Sequence, residues 1–286
     1  ARLCGGLGAV FITVTGAKVL TGRFIGKEIT TAMSFLGVAW PVGIAFGIVT
    51  LPLMGASLEW RSCMLITVLP SIAAAVLVVF VDLGTGSAAE PEATRKTTDI
   101  WSITRREFVL MLMAGLCWSL MSSGGYVVFS SYAPTYLITE GMNPGAASFA
   151  VGILSWLIIV TIPLGGYLVD RFGHGDTVFW AGCLVSAAAI FMVPIGGPVI
   201  LLIVISSALG FTVGAVMALP SHALQEPSRA TGMGLFYTVY YAGTAGFPAL
   251  GGYLYEVSGR TDAAIWLSST CLMLAPLMLH LFRRTE

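Results

Sequence analysis

An acid and a base stand side by side in the stretch GGYLVDRFGHGD, residues 165–176. The chain before them, residues 146–168, carries no formal charge. Asp170 and Arg171 follow Gly166 and precede Gly173. A carboxylate can accept hydrogen bonds from the free N–H groups at the start of a neighbouring helix, where the helix dipole favours an anion. Glycines let two helices approach closely. The stretch therefore predicts a contact between helix ends, and an ordinary solvated turn is the alternative.

Hydroxyl and aromatic side chains recur at helical spacing in CWSLMSSGGYVVFSSYAPTYL, residues 117–137. Steps of four, three, four and three would place five residues on one α-helical face: Trp118, Ser122, Gly125, Phe129 and Tyr132. Tyr126 lies beside that face. A hydroxyl in lipid without a hydrogen-bond partner is unfavourable. We expect this face to line a solute pathway, with helix packing through small residues as the alternative.

A second aromatic group lies in residues 230–257 and contains Tyr237, Tyr240 and Tyr241. These tyrosines fall near the middle of an apolar run, whereas interfacial tyrosines sit near lipid headgroups. We predict that they line the same pathway, with Trp40 and Trp156 as further candidates.

Arg2 is the charge that we expect to matter most for a solute or a coupling ion. It precedes an apolar run, and an arginine inside a bilayer is costly unless it has a function. The alternative is that its long side chain reaches the membrane surface.

The sequence lacks the patterns of catalytic, metal and cofactor sites. Its five cysteines lie in apolar runs without a CxxC pair, which is typical of inert buried thiols. GRFIGKE at 22–28 has too few residues between its glycines for a phosphate loop and a glutamate where serine or threonine is needed. A net charge of zero gives no indication of a nucleic-acid partner. We predict no enzyme, no cofactor and no metal.

The elements that must position these residues follow from composition. Of 286 residues, 57% are hydrophobic and 10% are charged, and the mean hydropathy is +0.90. A soluble fold of this size could not bury so much apolar surface, so we expect an all-α polytopic membrane protein in a lipid bilayer. We predict nine transmembrane helices at 1–20, 29–55, 62–82, 108–138, 146–169, 177–195, 198–219, 230–257 and 263–282.

Charge and repetition predict the topology. Most Lys and Arg residues fall on one side, which predicts a cytoplasmic C-terminus in a plasma or inner membrane. Residues 29–45 resemble residues 229–245 at an offset of 200, and the flanking spans keep that offset. We therefore expect a twelve-helix, 6+6 architecture from which about three N-terminal helices are missing here. Residues 1–82 would end the first bundle, 83–107 would form a cytoplasmic linker, and 108–286 would form the second bundle.

The motif GGYLVDRFG resembles the loop signature of the major facilitator superfamily, G-x-x-x-D-R-x-G-[RK]-[RK], at Gly166, Asp170, Arg171 and Gly173. His174 and Gly175 stand where two basic residues are usual. RLCGGLGA, residues 2–9, is similar to the fourth-helix pattern of this family. The resemblance implies that the motif is a gating contact with residues 28–31, that solute binds between the two bundles, and that Arg2 handles a proton or an anion.

The sequence as a whole predicts a secondary active transporter that moves a small solute by alternating access, coupled to a proton or another ion. The solute classes that fit are an organic anion and an amphipathic neutral compound. Two alternatives stay open: a membrane receptor or scaffold without transport, and a membrane enzyme. The enzyme would need clustered His, Asp or Glu residues at bilayer depth, and the sequence shows none.

Overall fold

The computed structural model describes residues 2–24, 28–55, 59–80, 103–225 and 228–286, with a few helical side chains among them left undescribed. Within these ranges the chain forms nine helices and no strand. They are α1 (Arg2–Phe24), α2 (Ile29–Gly55), α3 (Trp60–Ile66 and Val68–Phe80), α4 (Arg105–Thr139), α5 (Pro144–Phe172), α6 (Gly175–Ile195), α7 (Val199–Ala223), α8 (Arg229–Ser258) and α9 (Ala263–Thr285). The predicted all-α membrane architecture is confirmed.

Six of these helices are long and apolar enough to cross a bilayer by length and composition: α2, α4, α5, α6, α7 and α9. Helix α8 is also long, at 30 residues, but its many Gly, Tyr and Thr residues lower its hydropathy. Helix α3 has a turn at Thr67 between its two parts. Most of the predicted linker, residues 83–102, lies outside the described residues, and the bundle boundaries stay a prediction.

Helix ends follow local capping chemistry. Thr104 caps α4, and its hydroxyl accepts from the Glu107 N–H while the Glu107 carboxylate accepts from the Thr104 N–H. Asn143 and Pro144 begin α5. Gly173 ends α5 with φ of 70°, a left-handed conformation that favours glycine, and its N–H donates to the Val169 carbonyl. These caps account for the short turns that connect α4 to α5 and α5 to α6.

Two helices depart from α geometry in their middle. Ser119–Val127 of α4 is a π-helix, and Ser207–Thr212 of α7 is a 3₁₀ helix. Such segments are uncommon and are often found at functional sites. Both segments contribute residues to the cavity described below.

Helix α2 joins the first three helices to the last six, because its main contacts are with α5 and α7. Glycines permit this contact. A Cβ added at Gly166 would lie 2.9 Å from the Thr30 carbonyl oxygen, and one at Gly214 would lie 2.8 Å from it. The Ser34 side chain fits between the same two glycines, where its hydroxyl is buried without a hydrogen-bond partner among the described residues.

Helices α5 and α7 also touch at glycines. A Cβ at Gly165 would lie 2.4 Å from the Phe211 Cα, and one at Gly210 would lie 1.9 Å from the Thr161 hydroxyl oxygen. The Thr161 hydroxyl donates to the Ser207 carbonyl across this contact. The interior around it consists mainly of apolar side chains contributed by α2 and by α4 to α9.

We predict that Gly165→Ala destabilises the protein and that Gly152→Ala on the same helix does not. The added methyl at Gly165 meets backbone atoms of α7 that cannot move aside, and such overpacking costs about 1–3 kcal/mol. At Gly152 no heavy atom lies within 4 Å of the added Cβ. The melting temperatures of the two variants are measured in detergent, with size-exclusion chromatography as the readout of unfolding. Equal melting temperatures would contradict the packing argument.

Candidate functional site

A stack of aromatic rings forms one wall of a cavity between the first helices and the last six. The Trp118 ring of α4 lies parallel to the Tyr240 ring of α8, with 3.9 Å between the centroids. Phe236 stacks near the same indole at 5.1 Å, and Tyr237 meets it edge-on at 5.5 Å. Offset and edge-on ring pairs are stabilising beyond their buried area, so the wall is rigid.

The cavity has a volume of about 130 Å³ and is lined by residues from six helices. We name it the interface cavity. Five predicted site residues of α4 and α8 and one of α2 line it: Trp118, Ser122, Tyr126, Tyr240, Tyr241 and Trp40. The remaining lining is mostly aliphatic. The described lining contains no Lys, Arg, Asp or Glu side chain. The arrangement can hold an uncharged ring or apolar group beside a few hydroxyls.

The π-helix changes which residues of α4 share a face. Trp118, Ser122 and Tyr126, each four residues apart, line the interface cavity. Gly125 instead faces α9, because a Cβ there would lie 2.4 Å from a Leu272 methyl carbon. The predicted face with Gly125 in line with Trp118 and Ser122 was therefore wrong, since it assumed an α-helix where the wider π turn brings Tyr126 round.

Three predicted residues lie away from the interface cavity. Tyr132 donates from its hydroxyl to the Pro248 carbonyl at 2.8 Å and lines a separate small pocket near Thr261. Trp156 is half-exposed and pairs with Phe46 at a centroid distance of 6.5 Å. Tyr237 is buried behind the Trp118 wall. Arg2 begins α1, but its side chain lies outside the described residues.

Sequence inspection missed several lining residues. Thr13 of α1 lies in the cavity, and Tyr241 donates to its hydroxyl at 3.5 Å. Ile158 and Ile162 of α5 form an apolar floor. Apolar residues of this kind carry no sequence signal, because they look the same whether they face lipid, core or cavity.

The predicted contact between helix ends is present. The Asp170 carboxylate of α5 accepts from the Thr30 N–H at 3.2 Å, from the Thr31 N–H at 2.7 Å and from the Thr31 hydroxyl at 2.6 Å. These donors lie in the first turn of α2, whose N–H groups have no partner within their own helix. We name this contact the Asp170 latch, and the side of the bundle that contains it the Asp170 end.

The spacing of the motif has a geometric reason. Gly166 and Asp170 are four residues apart and so share one face of α5. Gly166 allows the α2 backbone to approach, and the carboxylate one turn later then reaches the first N–H groups of α2. Arg171 turns away from α2, and its guanidinium donates to the Tyr167 hydroxyl on its own helix.

A charged pair lies beside the latch. The Asp176 carboxylate of α6 accepts from the Arg283 guanidinium of α9 at 2.8 Å, and both side chains are partly exposed. The pair joins two of the last six helices, and its hydrogen bonds are made between α6 and α9. Among the described residues, no group of three or more His, Cys, Asp or Glu side chains could hold a metal ion.

Comparison with known proteins adds a family to this geometry. The sequence profile of the Major Facilitator Superfamily matches residues 1–248 and, in a second match, residues 142–286. No curated protein matches the chain. A crystal structure of FucP, a Major Facilitator Superfamily transporter in the outward conformation, is 14% identical with a TM-score of 0.59, and the match covers 90% of this chain and 68% of FucP.

Two further solved structures have the same fold. One is a variant of the E. coli fucose:proton symporter FucP, with 14% identity, a TM-score of 0.59 and coverage of 90% of this chain and 67% of that one. The other is a bacterial homologue of the iron transporter ferroportin in the outward-facing state, with 15% identity, a TM-score of 0.56 and coverage of 89% and 65%. The profile spans the chain from end to end, and the chain therefore belongs to the Major Facilitator Superfamily.

Proposed function

We propose that the protein is a secondary active transporter that moves a small solute across a plasma or inner membrane by alternating access. The observation that carries the proposal is the position of the interface cavity, whose walls come from α1 and α2 on one side and from α4, α5, α7 and α8 on the other. A cavity between two groups of helices can open to either side when the groups rock against each other.

The Asp170 latch supports the gating part of the proposal. It connects α5 to α2, which are the helices of the two groups with the largest mutual contact. Any motion that opens the Asp170 end must separate the carboxylate from the start of α2. The distribution of Lys and Arg favours the cytoplasmic side for this end, which also places the C-terminus there.

The cavity lining favours a neutral, amphipathic solute over an organic anion. An anion in a dry cavity needs a cationic partner, and none of the described lining residues is Lys or Arg. The parallel Trp118 and Tyr240 rings offer flat apolar surface, and Ser122 and Thr13 offer hydroxyls at its edge. We propose that solute rings pack on the aromatic wall while a hydroxyl or carbonyl group of the solute meets these side chains.

Coupling to a proton or another ion is part of the proposal, in line with the fucose:proton symporter among the structures of this fold. Arg2 stays a candidate for that step. Two alternatives remain: a receptor or scaffold without transport, and a membrane enzyme. Exposure of the cavity to each side of the membrane in turn is expected of a transporter and of neither alternative.

Alternating access predicts that a cysteine at Ser122 reacts with a membrane-impermeant methanethiosulfonate reagent added to either side of the membrane. The test uses Ser122→Cys in oriented sealed vesicles, with Cys4 and Cys63 replaced by serine and the buried Cys117, Cys183 and Cys271 left in place. The parent protein without Ser122→Cys is the control. Reaction from one side only would contradict the proposed transport cycle.

The latch predicts that Asp170→Asn speeds labelling of that cysteine from the Asp170 end by about tenfold, because a hydrogen bond to a charged acceptor contributes about 1.5–3 kcal/mol. Asp176→Asn is the matched control, since it removes a carboxylate at the same end whose hydrogen bonds are made to α9. Equal rates in the two variants would show that the contact with α2 does not gate the cavity.

The uncharged lining predicts that benzyl alcohol binds the purified protein more tightly than benzoate, which has a similar ring and size but carries a negative charge. Quenching of tryptophan fluorescence reports binding, and Trp118→Phe, which removes the indole in the cavity wall, serves as the control for the signal. Tighter binding of benzoate would reverse the proposed solute class and favour an organic anion.

A further inference from the structure

The π-helical part of α4 is unusual in its length, since Ser119–Val127 covers nine residues. Most π-helices are single-turn insertions within α-helices. Its backbone bonds span five residues, as in the bond from the Val128 N–H to the Ser123 carbonyl. A segment of this geometry needs contacts from outside its own helix, because an α-helix is the more stable local alternative.

Helix α9 fits against this segment at two glycines. A Cβ at Gly124 would lie 2.7 Å from the Cβ and Sγ of Cys271, and one at Gly125 would lie 2.4 Å from a Leu272 methyl carbon. The close approach brings the Ser268 hydroxyl of α9 to the Gly125 carbonyl, to which it donates at 2.5 Å. Ser268 is fully buried.

Two more hydroxyl contacts connect the segment to other helices. Ser123 pairs with Thr244 of α8 at 2.7 Å, and Tyr126 pairs with Ser155 of α5 at 2.9 Å. The contacts of Ser123 and Tyr126 join side chains, whereas the Ser268 hydroxyl bonds to the backbone of α4. The Gly125 carbonyl also accepts from the Val128 N–H, so loss of the Ser268 hydroxyl would not leave that carbonyl without a donor.

We propose that Ser268 is a positioning residue for the interface cavity, which it does not itself line. Its bond to Gly125 favours the π register of α4, and the π register places Tyr126 in the cavity in line with Trp118 and Ser122. With α-helical spacing, Gly125 would take that place and Tyr126 would lie beside the face instead of in line with it. The inference rests on the proposed function, because it assigns Ser268 to the same solute site.

The test compares Ser268→Ala with Ser269→Ala, a matched pair on adjacent residues. Both hydroxyls are buried and both donate to a backbone carbonyl, but the acceptor of Ser269 is Ala187 of α6, whereas that of Ser268 is Gly125 of α4. We expect Ser268→Ala to weaken benzyl alcohol binding by about tenfold, the size of one hydrogen bond, while Ser269→Ala leaves it unchanged. Melting temperatures of the two variants should agree.

A double-mutant cycle shows whether Ser268 acts through Tyr126. If it does, Ser268→Ala adds little to the loss caused by Tyr126→Leu, whereas additive losses would overturn the inference. Acrylamide quenching of tryptophan fluorescence needs no ligand, and the part due to Trp118 is the difference from the same protein with Trp118→Phe. We expect Ser268→Ala to raise that part because Tyr126 no longer covers the cavity. Equal quenching and equal binding in the Ser268→Ala and Ser269→Ala variants would also overturn it.

If Ser268→Ala does not yield folded protein, Thr244→Val removes the second hydroxyl contact of the same segment and must change Trp118 quenching in the same direction. No change with Thr244→Val would then count against a hydroxyl-dependent register. The two proposals fail separately: labelling of Ser122→Cys from one side only contradicts transport, while labelling from both sides with indistinguishable serine variants contradicts the role of Ser268.

Discussion

The contact of α2 with α5 and α7 is the constraint on which the rest of the structure depends. It combines two effects that are separate in most helix pairs. Gly166 and Gly214 have no side chains that would keep α2 away. The Asp170 carboxylate accepts hydrogen bonds from N–H groups in the first turn of α2, which have no partner within that helix. The same interface forms part of the cavity wall through Gly37 and Ile162. Closure at one end and the shape of the site are therefore linked through a single pair of helices.

The aromatic wall and the π-helical segment of α4 each shape one part of the cavity. Trp118 and Tyr240 give a rigid surface because each ring is stacked on the other and supported by Phe236. The π register brings Tyr126 into line with Trp118 and Ser122, and hydroxyl contacts join this segment to three other helices. Ring packing thus positions the Trp118 and Tyr240 wall, whereas hydroxyl groups from distant parts of the chain position Tyr126 beside it.

Much of this architecture could be predicted from residues alone. The helix predicted at 29–55 has the ends Ile29 and Gly55 in the structure, because a long apolar run leaves few alternatives to a membrane-spanning helix. A contact of Asp170 with the start of some helix was predictable from a carboxylate among glycines at a helix end, whereas its location at residues 28–31 followed from the family resemblance. Tyr126 was already a candidate beside the predicted face, but the π register that brings it into line with Trp118 and Ser122 was not predictable. That register involves Gly124 and Gly125 against α9, and no local pattern indicates a contact 143 residues away. Tyr132 and Trp156 lie outside the interface cavity, because periodicity indicates a shared face but not the depth or the neighbouring helix.

The buried hydroxyl of Ser34 weakens the packing of α2 against α5 and α7. It lies beneath the Asp170 latch, between Gly166 and Gly214, where it has lost water without gaining a partner among the described residues. An unpaired buried hydroxyl is unfavourable by about 1–3 kcal/mol. Any displacement of α2 that readmits water would recover that energy. In the proposed transport cycle, a tight interface with one unpaired hydroxyl at its centre would close the Asp170 end and would still separate at energies comparable to those of solute binding.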